Sequence, residues 1–349
     1  MNRLLENAKP YGARSDAAFL AEMNALTQAH LQGCPEYARI WPDFRPAQRV
    51  EDLPYLHVGV FKQVDFKTQR PGIQHERVLK PSATTSGQAS QIHLDRTSSE
   101  LQSASSLAIL KDFVGEHLRP LLVLDSSASL LARGEISARV AAAMSLRPIS
   151  TGMHFLLAQA NDAQSLKWNL LTNLLEKHDD LLVYGFTWIL WQAWAAADWP
   201  EDIRQLLQGK RIHFVHSGGW KKLEDSRVAP QTFNASLLHG LHPDSGVTDF
   251  YGLVEQVGII YPACADGYRH VPVWADVLVR DPWTLEPLIG ETGQLQLLNC
   301  LAQGAPYHSV YTEDLGRIQP GACPCGRSGK RFELLGRVPQ AEIRGCANV

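Results

Sequence analysis

Apolar positions follow two different periods along the first 250 residues of the chain. Over residues 15–33 they recur on one helix face, and Ser15 and Gly33 are suitable first and last residues, so the pattern predicts a helix. A second amphipathic helix is predicted from near Ser98. Short apolar runs then alternate with helical patterns, which predicts an α/β sheet with helical crossovers. The strand-like runs are LLVLD from 121, LLVYGF from 181 and IHFVHSGG from 212, and the helical patterns lie near 134–146, near 163–177 and from about 187.

The pattern changes beyond about residue 248. Shorter strand-like segments separated by turn signals, such as DPWTLEPLIGETG, predict a mixed or antiparallel subdomain over residues 248–337. No internal repeat and no low-complexity linker divides the sequence. We therefore predict one domain over residues 1–337 that includes this subdomain, followed by a short C-terminal tail over residues 338–349.

The most apolar stretch, residues 181–199, is long enough to be considered as a membrane span. Because it is interrupted by Gln192 and rich in tryptophan, a buried strand followed by a buried helix is the better interpretation. Trp188, Trp191 and Trp194 recur every three residues along that helix, a spacing typical of core packing. The alternative is that some of these tryptophans border a ligand pocket.

Composition narrows the classes of function. A formal charge of −3 argues against a main role in binding polyanions, so no nucleic-acid partner is expected. The first residues lack the apolar core of a secretory signal, and six cysteines without such a signal indicate a reducing, cytoplasmic compartment. Cys34 and Cys300 are isolated, whereas the other four cysteines lie in the last quarter of the chain, a distribution that needs a local explanation.

A hydroxyl-rich loop precedes the second predicted helix, in SATTSGQASQIHLD from residue 82. Thr84, Thr85 and Ser86 can donate hydrogen bonds to phosphate oxygens, and Gly87 allows close approach of the backbone. The loop is not a P-loop, because that spacing and its lysine are absent. On these residues alone, a plain surface loop is the alternative.

Three further segments have residue types suited to a nucleotide. Gly218 and Gly219 follow the strand-like IHFV, where they either let a flat ligand lie against the backbone or form a simple tight turn. In YGLVE, Tyr251, Gly252 and Glu255 can stack on a base, pass close to a phosphate and bind Mg²⁺, the alternative being a surface glutamate at a strand end. Asp314 lies in YTEDLG, a turn-rich setting suited to ribose hydroxyls.

The order of these segments resembles the core motifs of the adenylate-forming superfamily of acyl-CoA synthetases and luciferase-like enzymes. More narrowly, the sequence resembles the LuxE-type acyl-protein synthetases, with phenylacetate–CoA ligases as more distant cousins. The resemblance covers almost the whole chain. Its segments are LPYLHVGVFK at 53–62, TSGQASQIHLDR at 85–96, VYGFT at 183–187, DFYGLVEQVG at 249–258, TEDLG at 312–316, CPCGRSGKRFELLGR at 323–337 and AEIRGC at 341–346.

The resemblance implies an α/β fold, the large N-terminal-type domain of adenylate-forming enzymes. It also implies that a carboxylic acid is activated with ATP and Mg²⁺ to an acyl-adenylate, and that a thiol then takes the acyl group. The site residues carried over are Thr84, Thr85, Ser86 and Gly87 on the phosphate loop, with Thr85 catalytic, Gly218 and Gly219 beside adenine, Tyr251 and Gly252 at the adenine-stacking segment, Glu255 as the catalytic Mg²⁺ ligand, Asp314 on ribose and Arg337 at the hinge.

Two departures from the superfamily pattern affect the site. Thr84 stands where the phosphate loop usually has a second glycine. The sequence also stops just after the hinge motif, so the resemblance implies that the mobile C-terminal domain and its catalytic lysine are missing, as is characteristic of the LuxE-type branch. The cation facing the α-phosphate is therefore open among Lys62, Lys80, Lys221, Lys222 and a group from a partner subunit.

Four of the cysteines and histidines suggest a structural zinc site. Cys323 and Cys325 form a CPCG pair whose thiolates can converge on one ion, and Cys264 with His270 can complete a tetrahedral Cys₃His shell. A catalytic zinc is disfavoured, because Mg²⁺ already supplies the Lewis acid of the implied reaction. The alternative is that these cysteines are reduced and bind no metal.

Cys346 is the predicted acyl acceptor. It follows IRG near the end of the sequence, on a tail expected to be mobile, and Arg344 favours its thiolate. LuxE-type relatives have their acylated cysteine beside the same motif, and Cys300 is the next candidate. The expected partners are a small carboxylic acid and an acyl-accepting protein such as a reductase or carrier protein. Transfer to coenzyme A or a carrier thiol, and a non-catalytic nucleotide-binding regulator, are the alternatives.

Overall fold

The computed structural model describes residues 5, 9–79, 90–130, 138–220 and 225–338. The chain divides into two compact units, one formed by residues 1–108 with 252–349 and the other by residues 109–251. We call them the split unit and the central unit. The predicted boundaries at 337 and 338 stay a prediction, since most of the tail lies outside the described residues.

Helices and strands alternate through the central unit, and strands dominate the last third of the chain. The helices are α1 (Asp16–Gly33), α2 (Pro35–Ile40), α3 (Arg96–Val114), α4 (Ala138–Ser145), α5 (Trp168–Lys177), α6 (Thr187–Leu190), α7 (Glu201–Leu207) and α8 (Pro230–Leu238). The strands are β1 (Leu56–His57), β2 (His75–Leu79), β3 (Ile92–Asp95), β4 (Arg119–Val123), β5 (Ser150–Phe155), β6 (Asp180–Phe186), β7 (Arg211–Ser217), β8 (Gly246–Tyr251), β9 (Tyr261–Pro262), β10 (Arg269–His270), β11 (Ala275–Arg280), β12 (Pro287–Leu288), β13 (Gly293–Asn299), β14 (Ser309–Gln319) and β15 (Arg331–Arg337).

The central unit contains a parallel sheet with the strand order β5-β4-β6-β7-β8. Every residue of β4 is buried, and β6 is buried from its second residue onward. Such continuous burial is typical of parallel strands covered on both faces. Side chains from the sheet and from α5 form an apolar core that includes Leu171, Val183 and Phe214. The α/β crossover pattern predicted from the sequence is confirmed here.

The split unit contains a mixed sheet with the strand order β10-β15-β14-β13-β11-β12. Its neighbours pair antiparallel, except that β1 joins β14 in parallel through Leu56 and His57. The predicted mixed or antiparallel subdomain beyond residue 248 is thereby confirmed. β2 and β3 form a separate antiparallel pair.

Polar side chains are buried in the split unit beside α1. His30 and His308 are both fully buried, with ring centroids 4.7 Å apart. His30 Nδ1 lies 2.7 Å from Thr68 Oγ1, and His308 Nε2 lies 3.0 Å from Thr27 Oγ1. Burial lowers the pKa of His308 to about 3 and the pKa of His30 well below its usual value. Both rings are therefore neutral at physiological pH.

Several elements begin or end a few residues away from the predicted positions. α3 begins at Arg96 rather than near Ser98, because the Asp95 carboxylate accepts a hydrogen bond from the Ser98 backbone N–H at 3.0 Å. The helix predicted near 163–177 is a 3₁₀ turn at Ala163–Ser165 followed by α5. β5 and α8 were not predicted at all.

The apolar stretch 181–199 is a buried strand followed by a helix, as predicted. α6 is one α-helical turn that continues as a π-helical segment, Trp191–Ala195. Trp194 is buried in the core of the central unit, and Trp188 and Trp191 pack against it, so core packing accounts for the tryptophan stripe. In the part of the chain that is described, every helix is too short or too polar to cross a bilayer.

Candidate functional site

Gly218 and Gly219 directly follow β7 in the central unit, and Tyr251 is the last residue of β8. Because β7 and β8 are adjacent and parallel, both segments lie at the same edge of the sheet. The two glycines have φ values of 83° and 60°, and a Cβ at Gly218 would lie 3.3 Å from the Phe186 ring. The backbone turn therefore requires glycine there. The carboxyl edge of a parallel sheet is also where α/β folds bind ligands.

Hydrogen bonds hold the end of β7 against the start of α6. Thr187 Oγ1 lies 3.0 Å from His216 Nδ1 and donates to the Ser217 carbonyl at 3.1 Å. Thr187 and His216 thus help to fix the end of β7 from which the glycine turn starts. We did not predict this role from the sequence. The signal available was VYGFT at 183–187, in which the threonine follows the strand immediately.

Glu255 lies in the split unit on the 3₁₀ turn Val254–Gln256, and it is only 7% exposed. The alternative of a surface glutamate is therefore wrong. Burial raises the pKa of its carboxyl group, and the Ser90 hydroxyl, its own backbone N–H and the charges of Lys62 and Arg337 oppose that shift. The Ser90 hydroxyl acts at close range without reaching hydrogen-bond geometry with this carboxylate. Glu255 is thus a buried acid whose charge is stabilised by the charges of Lys62 and Arg337.

The neighbouring Gln256 fixes the turn that bears Glu255. Its Nε2 donates to the Tyr307 carbonyl at 2.6 Å, and its Oε1 accepts from Asn299 Nδ2 at 2.9 Å. Gln256 and Asn299 are fully buried. These positioning residues were missed because they are 43 residues apart in sequence, and a lone glutamine or asparagine gives no pattern.

Gly258 closes the same segment with a φ of 82°, and a Cβ there would lie 2.3 Å from the Gln102 Cβ on α3. The Ser106 hydroxyl donates to the Gly258 carbonyl at 3.3 Å. Gln102 in turn donates to the Tyr307 hydroxyl at 2.8 Å. The segment after Glu255 therefore packs directly against α3.

Asp314 does not lie in a turn-rich setting, so that prediction is wrong. It belongs to β14, is buried, and pairs in register with Arg337 on β15. Arg337 Nε donates to Asp314 Oδ1 at 2.9 Å. The two residues predicted as the ribose carboxylate and the hinge arginine are thus partners across one hairpin.

Lys62 ends a 3₁₀ helix, Val58–Lys62, that is fixed at both sides. β1, just before it, pairs with β14, and the Phe61 carbonyl accepts a hydrogen bond from the Gln91 backbone N–H at 3.1 Å. The charge of Lys62 also lowers the pKa of Glu255 against the effect of burial. The other candidate lysines, Lys80, Lys221 and Lys222, lie outside the described residues.

Two other predicted parts of the site also lie outside the described residues. They are the phosphate loop, with Thr84, Thr85, Ser86 and Gly87, and the predicted acceptor Cys346. Ser90, just after the loop, is buried near Glu255. Gly252, which precedes the Glu255 turn, is exposed, and a Cβ there would lie 3.4 Å from the Ile259 carbonyl oxygen. Cys300, the second acceptor candidate, is buried, and its thiol donates to the Trp274 carbonyl at 3.2 Å.

Cys264, His270, Cys323 and Cys325 come together in the split unit. The atoms that can bind a metal all lie within 4.8 Å of one another. Burial raises the pKa of the Cys264 thiol to about 11. The structure thus places in one cluster the four residues proposed from their chemistry.

A family model described as "Acyl-protein synthetase, LuxE" matches residues 20–349. Two curated relatives are named long-chain-fatty-acid–luciferin-component ligase. The protein from Aliivibrio fischeri is 28% identical over 144 residues, and the one from Vibrio harveyi is 27% identical over 142 residues. Each match spans 40% of this chain but only 37% and 36% of the respective relative.

Solved structures share the fold at low sequence identity. An open conformation of 2-hydroxyisobutyryl-CoA ligase with 2-HIB-AMP and CoA has a TM-score of 0.63 at 16% identity, over 92% of this chain and 74% of that chain. The same ligase in its postadenylation state with 2-HIB-AMP has a TM-score of 0.58 at 15% identity, over 93% and 68%. The predicted α/β fold of adenylate-forming ligases is therefore confirmed.

Proposed function

Because the chain belongs to the LuxE family of acyl-protein synthetases, we propose that it activates a carboxylic acid with ATP and passes the acyl group to a protein thiol. The family match over residues 20–349 supports this reaction type. The acid is a fatty or other acyl acid, in keeping with the relatives named as ligases of a long-chain fatty acid. A structural neighbour that binds 2-HIB-AMP supports an adenylate as the intermediate.

The observation that carries the proposal is the buried, ionisable Glu255, whose pKa the charges of Lys62 and Arg337 lower against the effect of burial. A buried carboxylate with a raised pKa and cationic neighbours is typical of functional sites. A hard cation prefers carboxylate oxygen, so Glu255 is the residue that would hold Mg²⁺. When bound with ATP, Mg²⁺ neutralises negative charge on the phosphates.

In the first step, a carboxylate oxygen of the acid attacks the α-phosphorus of ATP. A bond forms between that oxygen and phosphorus, the bond to the bridging oxygen breaks, and pyrophosphate leaves with the electron pair. The main task of the protein is to hold two anions together and to offset the charge that develops at phosphorus. The hydrogen bonds of Gln256 to the Tyr307 carbonyl and to Asn299 fix the turn that bears Glu255, the residue that would hold Mg²⁺ for that task.

Lys62 is the described lysine that we assign to the α-phosphate. It is held between β14 and the segment that follows the phosphate loop, and its charge reaches Glu255. A lysine ammonium is a compact charge suited to a phosphate oxygen. This assignment provides the cation that the sequence left open.

The remaining nucleotide contacts are assigned by motif. Gly218 and Gly219 would run beside adenine and Tyr251 would stack on it, consistent with their position at the carboxyl edge of the central sheet. Asp314, oriented by Arg337, would accept hydrogen bonds from ribose hydroxyls. Thr84, Thr85, Ser86 and Gly87 would bind the phosphates.

In the second step, the thiolate of Cys346 attacks the acyl carbon of the adenylate. A thioester forms, the bond from carbon to the phosphate oxygen breaks, and AMP leaves. A partner protein, such as a reductase or a carrier protein, then takes the acyl group. The IRGC motif supports Cys346 over Cys300, whose thiol is buried and donates to the Trp274 carbonyl.

ATP–pyrophosphate exchange across a panel of carboxylic acids tests the first step. We expect exchange with at least one acyl acid, and silence across aliphatic, aromatic and amino acids would favour a non-catalytic nucleotide-binding protein. The second step is tested by trapping labelled acyl-protein without added thiol. Cys346→Ser should keep exchange and lose the hydroxylamine-labile label, with Cys34→Ser as the matched control. Label that appears only on added coenzyme A would instead identify an acid–CoA ligase.

A further inference from the structure

Two turns of the split unit have the same backbone shape and both begin with cysteine. In the first, the Gly267 N–H donates to the Cys264 carbonyl at 2.9 Å, and Gly267 has a φ of 81°. In the second, the Gly326 N–H donates to the Cys323 carbonyl at 3.0 Å, and Gly326 has a φ of 82°. Each turn therefore presents its cysteine from the same position.

The two turns are brought together by strand pairing. Arg269 and His270 of β10 pair with Phe332 and Arg331 of β15, so the first turn lies beside the loop between β14 and β15. His270 is fully buried at this junction. Residues nearly 60 positions apart in sequence thus converge, which a chance grouping of surface cysteines would not produce.

The sulfur–sulfur distance matches a tetrahedral metal shell, and the four ligand atoms all lie within 4.8 Å of one another. Ligand atoms about 2.3 Å from a central ion lie about 3.8 Å from one another. The Cys264 and Cys323 sulfurs are 3.8 Å apart, and the Cys325 sulfur is 3.2 Å from His270 Nε2. The first distance is also far from the roughly 2.05 Å of a disulfide bond. These four side chains converge on one point without being bonded to one another.

We propose that Cys264, His270, Cys323 and Cys325 bind a structural Zn²⁺ ion. Three thiolates and one imidazole fill all four positions of a tetrahedral zinc, so the site is closed to substrate. Asp266 lies beside it, with its Oδ2 4.0 Å from the Cys264 sulfur and 3.8 Å from the Cys323 sulfur.

The ion would fix one end of the hairpin whose other end bears Asp314 and Arg337. Those residues pair where β15 ends, whereas Gln319 and Arg331 pair next to the cysteine loop. Five residues of strand separate the two ends, about 17 Å. The zinc ion would therefore stabilise this hairpin and take no part in the reaction.

Elemental analysis of the full chain, purified without chelator, tests the proposal directly. We expect about one equivalent of zinc per chain, and less than a tenth of an equivalent, or a full equivalent of another metal, overturns it. Cys325→Ala should lose the zinc, whereas Cys34→Ala, which removes a buried thiol outside the cluster, should retain it. A Cys325→Ala protein with full zinc content overturns the ligand assignment.

A second measurement does not depend on variants folding. Exchange of zinc for Co²⁺ in the native chain should give the strong visible absorption of tetrahedral thiolate-bound cobalt, and the weak spectrum of octahedral Co²⁺ would contradict the shell. Removal of the metal should lower Tm by about 5 °C or more, because metal binding is coupled to folding. Neither readout requires acyl activation, so the zinc site and the proposed function fail separately.

Discussion

The central and split units both bury apolar side chains, but the split unit buries more polar ones. The central sheet is parallel, and an apolar core cluster that includes Leu171, Val183 and Phe214 packs against it. The split unit buries a histidine pair, a glutamate, and a glutamine–asparagine pair within its described part. Buried polar groups are tolerated where each has a partner, and they then define one arrangement. The split unit therefore depends on more buried polar contacts than the central unit, which buries Asp125 and the Thr187–His216 pair.

The largest effect that sharpens this contrast is expected from Glu255→Gln. The amide keeps the shape but removes the charge that would bind Mg²⁺, so ATP–pyrophosphate exchange should fall by at least about 100-fold. Because burial raises the pKa of Glu255, its ionised form opposes folding, and the variant should have a higher Tm at pH 7. Exchange assays and calorimetry check both results.

The sign of the stability change has a pH dependence. A carboxyl group with a raised folded pKa adds no penalty below its ordinary range, where it is neutral in both states, so the Tm advantage should vanish on acidification. Glu291→Gln, at an exposed position of the same unit, is the control and should alter neither exchange nor Tm. Near-normal exchange by Glu255→Gln would refute the assignment.

The contrast between units also decides what could be predicted from sequence. α1, β4, β6 and β7 were predicted because their signal is local: apolar spacing plus end residues. β5 was missed, since its sequence STGMHF mixes polar and apolar residues and remains partly exposed. The two-residue strands β1 and β10 pair with β14 and β15, more than 60 residues away, so a local apolar pattern does not reveal them.

Candidate site residues divide in the same way. The Cys/His cluster was predictable because few residue types bind zinc, whatever fold brings them together. Asp314 was predicted to lie in a turn-rich segment, because aspartate and glycine in YTEDLG are typical of turns, but it lies within β14. Instead Gly316 lies at a bulge of β14, where a Cβ would come 2.6 Å from the Leu295 side chain, so the glycine serves packing and not a turn. Composition alone cannot distinguish these two uses of glycine.

In the central unit, the largest expected loss of stability comes from deleting core volume. Leu171 on α5 is fully buried, so Leu171→Ala should reduce the free energy of unfolding by about 2–5 kcal/mol. Leu118→Ala, at a residue 52% exposed in the same unit, is the matched control and should change it by less than about 0.5 kcal/mol. Equal effects in urea unfolding would contradict the view of this core as the stabilising one.

A smaller loss is expected from the polar network of the split unit. Gln256→Leu removes the hydrogen bonds of Gln256 to Asn299 Nδ2 and to the Tyr307 carbonyl, and these two groups keep only their 3.4 Å hydrogen bond to each other, which should cost about 1–3 kcal/mol. The Glu255 turn should also loosen, so pyrophosphate exchange should fall more than unfolding explains. Gln256→Glu, at a pH where the acid is protonated, should restore part of the exchange. Unchanged exchange at full folding would show that Gln256 does not position Glu255.

The smallest effect at neutral pH is expected from His308→Gln, and it grows as the pH falls. The unfolded chain protonates this histidine below about pH 6.5, whereas the folded chain does so only near its pKa of about 3. Stability is therefore present above the unfolded pKa and lost at about 1.4 kcal/mol per pH unit between those values. Glutamine can still reach Thr27 but cannot titrate. The free energy of unfolding of the variant should therefore fall less steeply with decreasing pH, and the remaining dependence should include that of His30. Free energies of unfolding measured between pH 7 and pH 4 test this difference in slope, and His239→Gln, at an exposed position, is the control. If the free energy of unfolding changes with pH equally in the variant and the parent, the pKa of His308 is not lowered by folding.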